Sequence, residues 1–348
     1  MQPIRALVID DSAFMRKVIS DILNNDSRIE VIGTARNGEE GIKKARELAP
    51  DVITMDIHMP IMDGMDALQE IMKDNPTPVV ILSSVTQEGT AKTIQAISNG
   101  AIDFITKPSG SISLDIQTIE DEITSKVFTA SQVNMNKNKK IKKLSAKKPH
   151  SILESSYDKT VVTIGTSTGG PRALQHVLTK LPASFSAPIL IVQHMPKGFT
   201  KSLANRLNTL SHLHVKEAIH GEMLEKGTAY IAPGDYHMTV KKVGKSMAIH
   251  LTDDAPIKGH RPAVDVLLDS LATVKQVNKI AVILTGMGSD GSKGLIKMKE
   301  TDSKSTVIAE SEETSIVYGM PKSAVHTGYV DYQLPIHEIA ELLVKLMK

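Results

Sequence analysis

The chain has 348 residues, 41% of them apolar, with 41 Lys and Arg against 39 Asp and Glu and no cysteine. That length fits two domains of ordinary size, and the missing cysteines exclude disulfides, thiol nucleophiles and cysteine metal sites, leaving Ser, His, Asp, Glu and Lys to carry any chemistry. No apolar run approaches the ~20 residues of a membrane span, the N-terminus lacks a signal-peptide pattern, and aromatics are few, so the expectation is a cytoplasmic globular chain with no membrane insertion and no stacking platform for single-stranded nucleic acid.

From Ile4 the chain alternates apolar runs with helical patterns: IRALVID, FMRKVISDILNN, IEVIGTA, EEGIKKARELA and DVITMDI. The rhythm continues through a helix over Gly64–Asp74, the strand PVVILSS, a helix over Thr90–Asn99, the strand IDFIT and a helix near Leu114–Lys126. This predicts five parallel strands wrapped by helices, whose functional groups gather at the carboxyl ends of the strands. Asp10 and Asp11 follow the first strand there, Asp56 the third, Ser83 the fourth and Lys107 the fifth. Three carboxylates at one sheet edge repel each other unless a hard cation joins them, so Asp10, Asp11 and Asp56 read as Mg²⁺ ligands, with Ser83 and Lys107 facing a phosphoryl group.

Charge divides the chain. Residues 1–125 carry 11 basic and 20 acidic side chains, residues 126–148 carry eight lysines and no acid, and residues 149–348 carry 22 basic and 19 acidic. Apolar residues are sparse through SQVNMNKNKKIKKLSAKKPHS, so residues 126–156 are expected to form a flexible Lys-rich linker between a domain at 1–125 and one at 157–348.

The second domain opens on VVTIGTSTGGP over Val161–Pro171, an apolar strand that ends in a glycine-flanked serine and runs into a helix start. Ser167 sits in a tight strand-to-helix turn matching G-x-S-x-G, without the glycine spacing of a dinucleotide loop or the Lys-Ser/Thr of a P-loop. A helix over Pro171–Lys180, the strand PILIVQH and a helix over Phe199–Leu210 follow. Between Val215 and Thr252, VKEAI, GTAYIAPGDYHMTVKK and SMAIHLT read as a strand and an antiparallel hairpin added to the sheet. Then come a helix over Pro262–Thr273, the strand KIAVILTG, a glycine-rich turn GMGSDGSKG opening a helix, STVIAE, a helix start at Met320, GYVDY and an amphipathic helix over Ile336–Met347. The fold expected is doubly wound, mainly parallel α/β of hydrolase type.

Ser167, His194 and Asp290 all stand at carboxyl ends of expected strands. A serine hydroxyl needs a base, and the base needs a carboxylate to fix its tautomer and stabilise its cation. His194 also reads as an ordinary turn histidine before Met195-Pro196, and Asp290 as a helix cap. The order Ser, His, Asp departs from the Ser, Asp, His order of α/β-hydrolases, and His326 in SAVHTGY supplies a later histidine, so residue types alone leave both histidines open as the base.

Two resemblances add to this reading. VIDDSAFMRK, MDIHMPIMDGMDAL, VVILSS and GAIDFITKP resemble the receiver domain of two-component response regulators over about residues 3–125. That implies Asp56 as phosphoryl acceptor from a chemotaxis histidine kinase, Mg²⁺ at Asp10, Asp11 and Asp56, and Ser83 and Lys107 on the phosphoryl oxygens; His58 departs from the commoner family residue and is expected to tune the site. GTSTGGP, VQHMPKGFTKSLANRLN, YIAPGDYHM, GHRPAVDVLLDSLA, ILTGMGSDGSKGL and ESEETSIVYGMP resemble the catalytic domain of the chemotaxis methylesterase family over about residues 158–347.

This second resemblance implies Ser167, His194 and Asp290 as a catalytic triad acting on glutamyl methyl esters of methylated chemoreceptors, with glutamine deamidation as a second activity. Thr166 stands where the family commonly has alanine. The backbone around Met287 and the helix start at Gly170 are candidates for oxyanion stabilisation, and the ester chemistry is expected to need no cofactor. A receiver with a nucleic-acid- or partner-binding effector is the alternative. The small charge and few aromatics of residues 149–348 argue against nucleic acid.

Overall fold

The computed structural model describes residues 2–107, 116–135 and 159–347, with the side chains of 116–119 excepted. Most of the segment expected as a linker therefore lies outside the described residues. Contacts divide the chain into two units, Met1–Lys139 and Lys140–Lys348.

In the first unit, strands β1 (Ile4–Ile9), β2 (Ile29–Ala35), β3 (Val52–Asp56), β4 (Val79–Ser83) and β5 (Asp103–Thr106) form a parallel sheet in the order β2-β1-β3-β4-β5. Helices α1 (Ala13–Asn25), α2 (Gly38–Leu48), α3 (Gly64–Asp74), α4 (Gln87–Ser98) and α5 (Ile116–Ser131) connect and cover it. A parallel strand is buried on both faces, and Ala6 to Ile9 are indeed wholly buried. The first four helices start on side-chain caps from Ser12, Asn37, Asp63 and Thr86, each accepting an amide of the first turn. α5 runs to Ser131 rather than ending near Lys126, because Val127 and Ala130 continue its buried face.

The second unit is built on a seven-stranded parallel sheet. Its strands are β6 (Thr160–Thr166), β7 (Ile189–Gln193), β8 (His214–Glu217), β9 (Thr228–Ile231), β12 (Asn278–Ile283), β13 (Thr306–Glu310) and β14 (Tyr332–Leu334), in the order β14-β13-β12-β6-β7-β9-β8. β10 (His237–Val243) and β11 (Ser246–Thr252) pair antiparallel as a separate two-stranded sheet. This corrects the expectation that the hairpin joins the main sheet. GTAYIA instead supplies the parallel strand β9. The apolar face of the hairpin, with Met238, Val240 and Ile249, packs in one core with Leu267, Leu268 and Leu271 of α8 (Val264–Ala272). The remaining helices are α6 (Gly170–Leu178), α7 (Phe199–Leu210), α9 (Ser292–Thr301), α10 (Met320–His326) and α11 (Ile336–Leu346).

β6 lies between β7 and β12, so the chain leaves it toward one side of the sheet and returns on the other. Such a switch point opens a crevice beyond the carboxyl ends of the strands. β1 and β3 define the corresponding point of the first unit.

Candidate active site and acidic pocket

At the switch point of the second unit, β6 ends at Thr166 paired with Gln193 of β7, and the His194 amide donates to the Thr166 carbonyl at 3.1 Å. Ser167 and His194 thus leave adjacent strands at one level. The Ser167 amide donates to the Thr285 carbonyl beyond β12 at 3.0 Å, and the Thr166 hydroxyl donates to the same oxygen at 2.9 Å. Thr166, in the position where alanine is common, therefore adds a tie to the turn. The Gln193 amide donates to the Ser167 carbonyl at 3.0 Å.

Glycine is required where the turn becomes helix. Gly169 has φ +77°, and a Cβ at Gly170 would stand 1.9 Å from Gln193 Oε1 and 2.5 Å from Thr166 Oγ1. Gly170 was a candidate oxyanion donor, but its N–H already donates to the Ser167 carbonyl at 2.8 Å, so it does not fill that role in this structure. Met287, the other candidate, is half-exposed in the loop after β12, and the neighbouring Gly286 packs so closely on the serine that an added Cβ would meet Ser167 Cβ at 2.8 Å.

His194 Nε2 lies 2.7 Å from Asp290 Oδ2. Asp290 also accepts the Val264 amide at 2.7 Å, the Asp265 amide at 3.0 Å and the Gly291 amide at 2.9 Å. Burial pushes its carboxyl up, but the hydrogen bond and charge of His194, aided by these amides, prevail and hold it at about 2. With Nε2 committed to the carboxylate, the nitrogen left to act as a base is Nδ1, which is buried and makes no hydrogen bond among the described residues. Among the described residues the Ser167 hydroxyl makes no hydrogen bond to His194; catalytic bonds of this kind are often long in unliganded sites and tighten with substrate. His326 is exposed in the last turn of α10 and forms no hydrogen bond or ion pair with Ser167 or Asp290 among the described residues.

Three side chains around this site escaped the sequence reading. Asp265 in the first turn of α8 accepts the Gly294 amide of α9 at 2.9 Å, while Asp290 accepts two amides of α8, so the two helices cap one another. The pattern of the chain could not disclose it, because each cap is 25 or more residues from its helix. Glu310, at the end of β13, is buried and accepts the Thr285 amide at 2.8 Å and the Thr314 hydroxyl at 2.9 Å. Burial without a cation pushes its carboxyl up to about 7. His260 stacks on His194 with ring centroids 3.9 Å apart and planes 9° from parallel. The motif GHRPAVDVLLDSLA contained this histidine but gave no sign of its partner.

In the first unit, carboxylate oxygens of Asp10, Asp11 and Asp56 come within 4.8 Å of one another. Lys107 Nζ is 2.8 Å from both Asp10 Oδ2 and Asp56 Oδ2. Burial pushes the Asp56 carboxyl up, and the charge of Asp10 adds to this; Lys107 and the His58 amide oppose them without prevailing. The His58 side chain itself is exposed. A Cβ on Gly64 would stand 2.1 Å from the Asp56 carbonyl, so only glycine lets α3 start so close to β3. One ammonium against three carboxylates leaves negative charge on a compact set of hard oxygen donors, which suits a divalent cation such as those that prefer carboxylate and water ligands. Ser83 is buried, and its hydroxyl is engaged with Thr93 and the Gly89 carbonyl of α4, not with Asp56.

An acidic pocket on a β2-β1-β3-β4-β5 sheet, joined in one chain to a doubly wound sheet with Ser, His and Asp at its switch point, defines a receiver-type unit coupled to a hydrolase-type unit. The family model described as CheB methylesterase matches residues 162–343, and that of the response regulator receiver domain matches residues 6–118. The protein-glutamate methylesterase/protein-glutamine glutaminase of Oceanobacillus iheyensis is 57% identical over 99% of this chain and 99% of its own. The protein of that name from Thermotoga maritima is 48% identical over 99% of this chain and 98% of its own. The crystal structure of the Thermotoga maritima CheB methylesterase catalytic domain covers 54% of this chain and 99% of that domain at 50% identity, with a TM-score of 0.53. The chain belongs to the CheB methylesterase family and carries a response regulator receiver domain.

Proposed function

We propose that this protein is a chemotaxis response regulator that hydrolyses glutamyl methyl esters on methylated chemoreceptors and deamidates receptor glutamines, under control of phosphorylation at Asp56. The observation that carries the reading is His194 held by Asp290 at one nitrogen, with the other nitrogen unpartnered, one strand from Ser167. In this reading Ser167 Oγ attacks the ester carbonyl carbon while His194 Nδ1 takes the hydroxyl proton, and Asp290 stabilises the imidazolium. The tetrahedral intermediate collapses by breaking the bond to methoxide, which leaves as methanol with the proton from His194. Water then attacks the acyl-serine, giving its proton to His194, and the serine departs reprotonated as the glutamate carboxylate is released. With a glutamine side chain the same attack expels ammonia.

In the receiver, Asp10, Asp11 and Asp56 would hold Mg²⁺, which when bound supplies positive charge to phosphoryl oxygens. Asp56 would accept the phosphoryl group from a chemotaxis histidine kinase, and Lys107 would move its ammonium from the carboxylate pair onto the new oxygens. Ser83 must turn from Thr93 to join them. The domain organisation that goes with this is a receiver ending with α5, a Lys-rich tether reaching to about residue 156, and an effector from 157 to the end, all in the cytoplasm. Among the described residues no helix is long and apolar enough to cross a membrane, which fits an enzyme that meets its receptors from outside the bilayer.

The test is methanol release from methylated receptor membranes by the intact protein, with and without a small phosphodonor and Mg²⁺. Release that rises with the phosphodonor supports the reading. No release in either condition, with tight salt-sensitive binding to nonspecific DNA, would replace it with a nucleic-acid effector.

A further inference from the structure

We infer that His260 is a positioning residue for the reaction, a flat wall that keeps the His194 ring turned so that Nδ1 faces the serine. The inference rests on the reading of Ser167, His194 and Asp290 given above. It starts from the geometry of an imidazole whose carboxylate bond is made at Nε2. The Cβ–Cγ axis leaves the ring between Cε1 and Nε2, so Nε2 lies nearer that axis than Nδ1 does. Rotation about χ2 therefore moves Nε2 little and Nδ1 more. The Asp290 bond fixes where the ring is better than it fixes which way Nδ1 points, and χ2 of a histidine is a broad torsion with no sharp preference of its own.

A ring stacked face to face supplies the missing restraint. With centroids 3.9 Å apart and planes within 9°, any substantial turn of His194 drives an edge of its ring into His260. The wall is itself anchored. The His260 amide donates to the Ile257 carbonyl at 2.9 Å and the Ile257 amide donates back to the His260 carbonyl at 3.0 Å, closing a tight loop. Next to it, Arg261 Nη1 donates to the carbonyls of Asp253 and Asp254 at 2.6 and 3.0 Å, and the Arg261 carbonyl accepts the Asp235 amide at 3.2 Å. Val264 and Asp265, which follow within a turn, bind Asp290 through their amides, so one short segment presents both the wall and two of the donors that hold the carboxylate.

The same contact matters when His194 carries the proton from Ser167. The stacked ring at 260 thus holds Nδ1 in direction both before and after proton transfer. Errors of about 1 Å in such a group can cost about 10²-fold in rate.

The test uses the full chain and compares His260→Phe, which keeps a flat ring, with His260→Leu, which fills similar space without one. Methanol release from methylated receptor membranes gives kcat and KM, and thermal melting reports folding. We expect His260→Leu to lose about 10²-fold in kcat with KM near the wild-type value, and His260→Phe to recover at least tenfold of that loss. Equal activity of the two variants, a wild-type kcat in His260→Leu, or a loss confined to KM would overturn the positioning role. Ser167→Ala, assayed in parallel, tests the underlying site separately: if it still releases methanol at the wild-type rate, the reading of the site fails whatever the His260 variants do.

Discussion

Asp290 accepts four hydrogen bonds, one from the imidazole and three from backbone amides, so its carboxylate works for the fold as well as for the base. Ser167→Ala should lower methanol release roughly 10³-fold or more with unchanged melting, and His194→Ala should lower it as much with a lower melting temperature, since buried Asp290 loses its imidazole partner, while His326→Ala should leave the rate near wild type. Asp290→Asn should also abolish most activity, again with a lower melting temperature, because its amide puts a donor against backbone donors. Loss of activity in His326→Ala equal to that in His194→Ala, with both folded, would move the base to His326. Glu310 gives a pH signature of its own. Its folded carboxyl, raised to about 7 from an ordinary 4.5, keeps a proton that the unfolded chain has released. Stability should therefore fall as pH rises from about 4.5 to about 7 and level off above, by at most about 3 kcal/mol. Glu310→Gln can still accept the Thr285 amide and donate to Thr314, so denaturant melts of this variant should lack that decline. The depressed Asp290 acts in the opposite sense: its contribution is complete above about pH 4 and is lost as pH falls toward 2.

At the scale of elements, the turn from β6 into α6 is the tightest piece of construction in the second unit. Gly170→Ala would force a methyl group into Gln193 Oε1 and Thr166 Oγ1, and an overpacked site of this kind commonly costs about 1 to 3 kcal/mol. Unfolding free energy should drop by that amount and methanol release should drop further, since the Gln193 side chain also holds the Ser167 carbonyl; a variant with wild-type activity would show the turn to be tolerant. The alternation of apolar strands and amphipathic helices made both parallel sheets readable from residues alone, and with them the placement of Ser167, His194, Asp10, Asp11 and Asp56 at strand ends. What escaped was set by long-range partners. An alternating strand looks the same whether it joins a main sheet or pairs apart, which hid the independence of β10 and β11. Asp290 read as either a helix cap or a triad member and is in fact placed to cap α8 across the sequence while bonding His194. His260 owes its interest to the ring of His194, and Glu310 to its burial beside Thr285 and Thr314, and no spacing encodes those neighbours.

For the whole molecule, the proposal is that the receiver restrains the esterase until Asp56 is phosphorylated. A receiver tethered by some tens of residues is present at high effective concentration, so weak association suffices to inhibit. Phosphorylation adds charge and acceptor oxygens where Lys107 already binds two carboxylates and where Ser83 is turned toward α4. Coupling of about 1 to 3 kcal/mol would change activity roughly 5- to 150-fold. Intact protein, Asp56→Asn and a fragment starting near Ser151 should be compared with Mg²⁺ and phosphodonor. The fragment should be faster than unphosphorylated intact protein, and only the wild-type chain should respond to the phosphodonor. A fragment no faster than the intact chain, with equal stimulation of Asp56→Asn, would end this account.

The strand order of the second unit bears on a property unrelated to catalysis. Its two outermost strands, β14 and β8, have three and four residues, whereas β6 near the middle has seven. An open sheet margin is a template on which a neighbouring chain can extend the hydrogen-bonded ladder, and a margin this short offers few rungs to grip. β8 further sets exposed His214 and partly exposed Lys216 and Glu217 along its margin, placing polar side chains beside those rungs. The long apolar strands that build the reactive crevice lie in the interior of the ladder, paired on both sides, so this sheet offers a neighbouring chain only its two short margins.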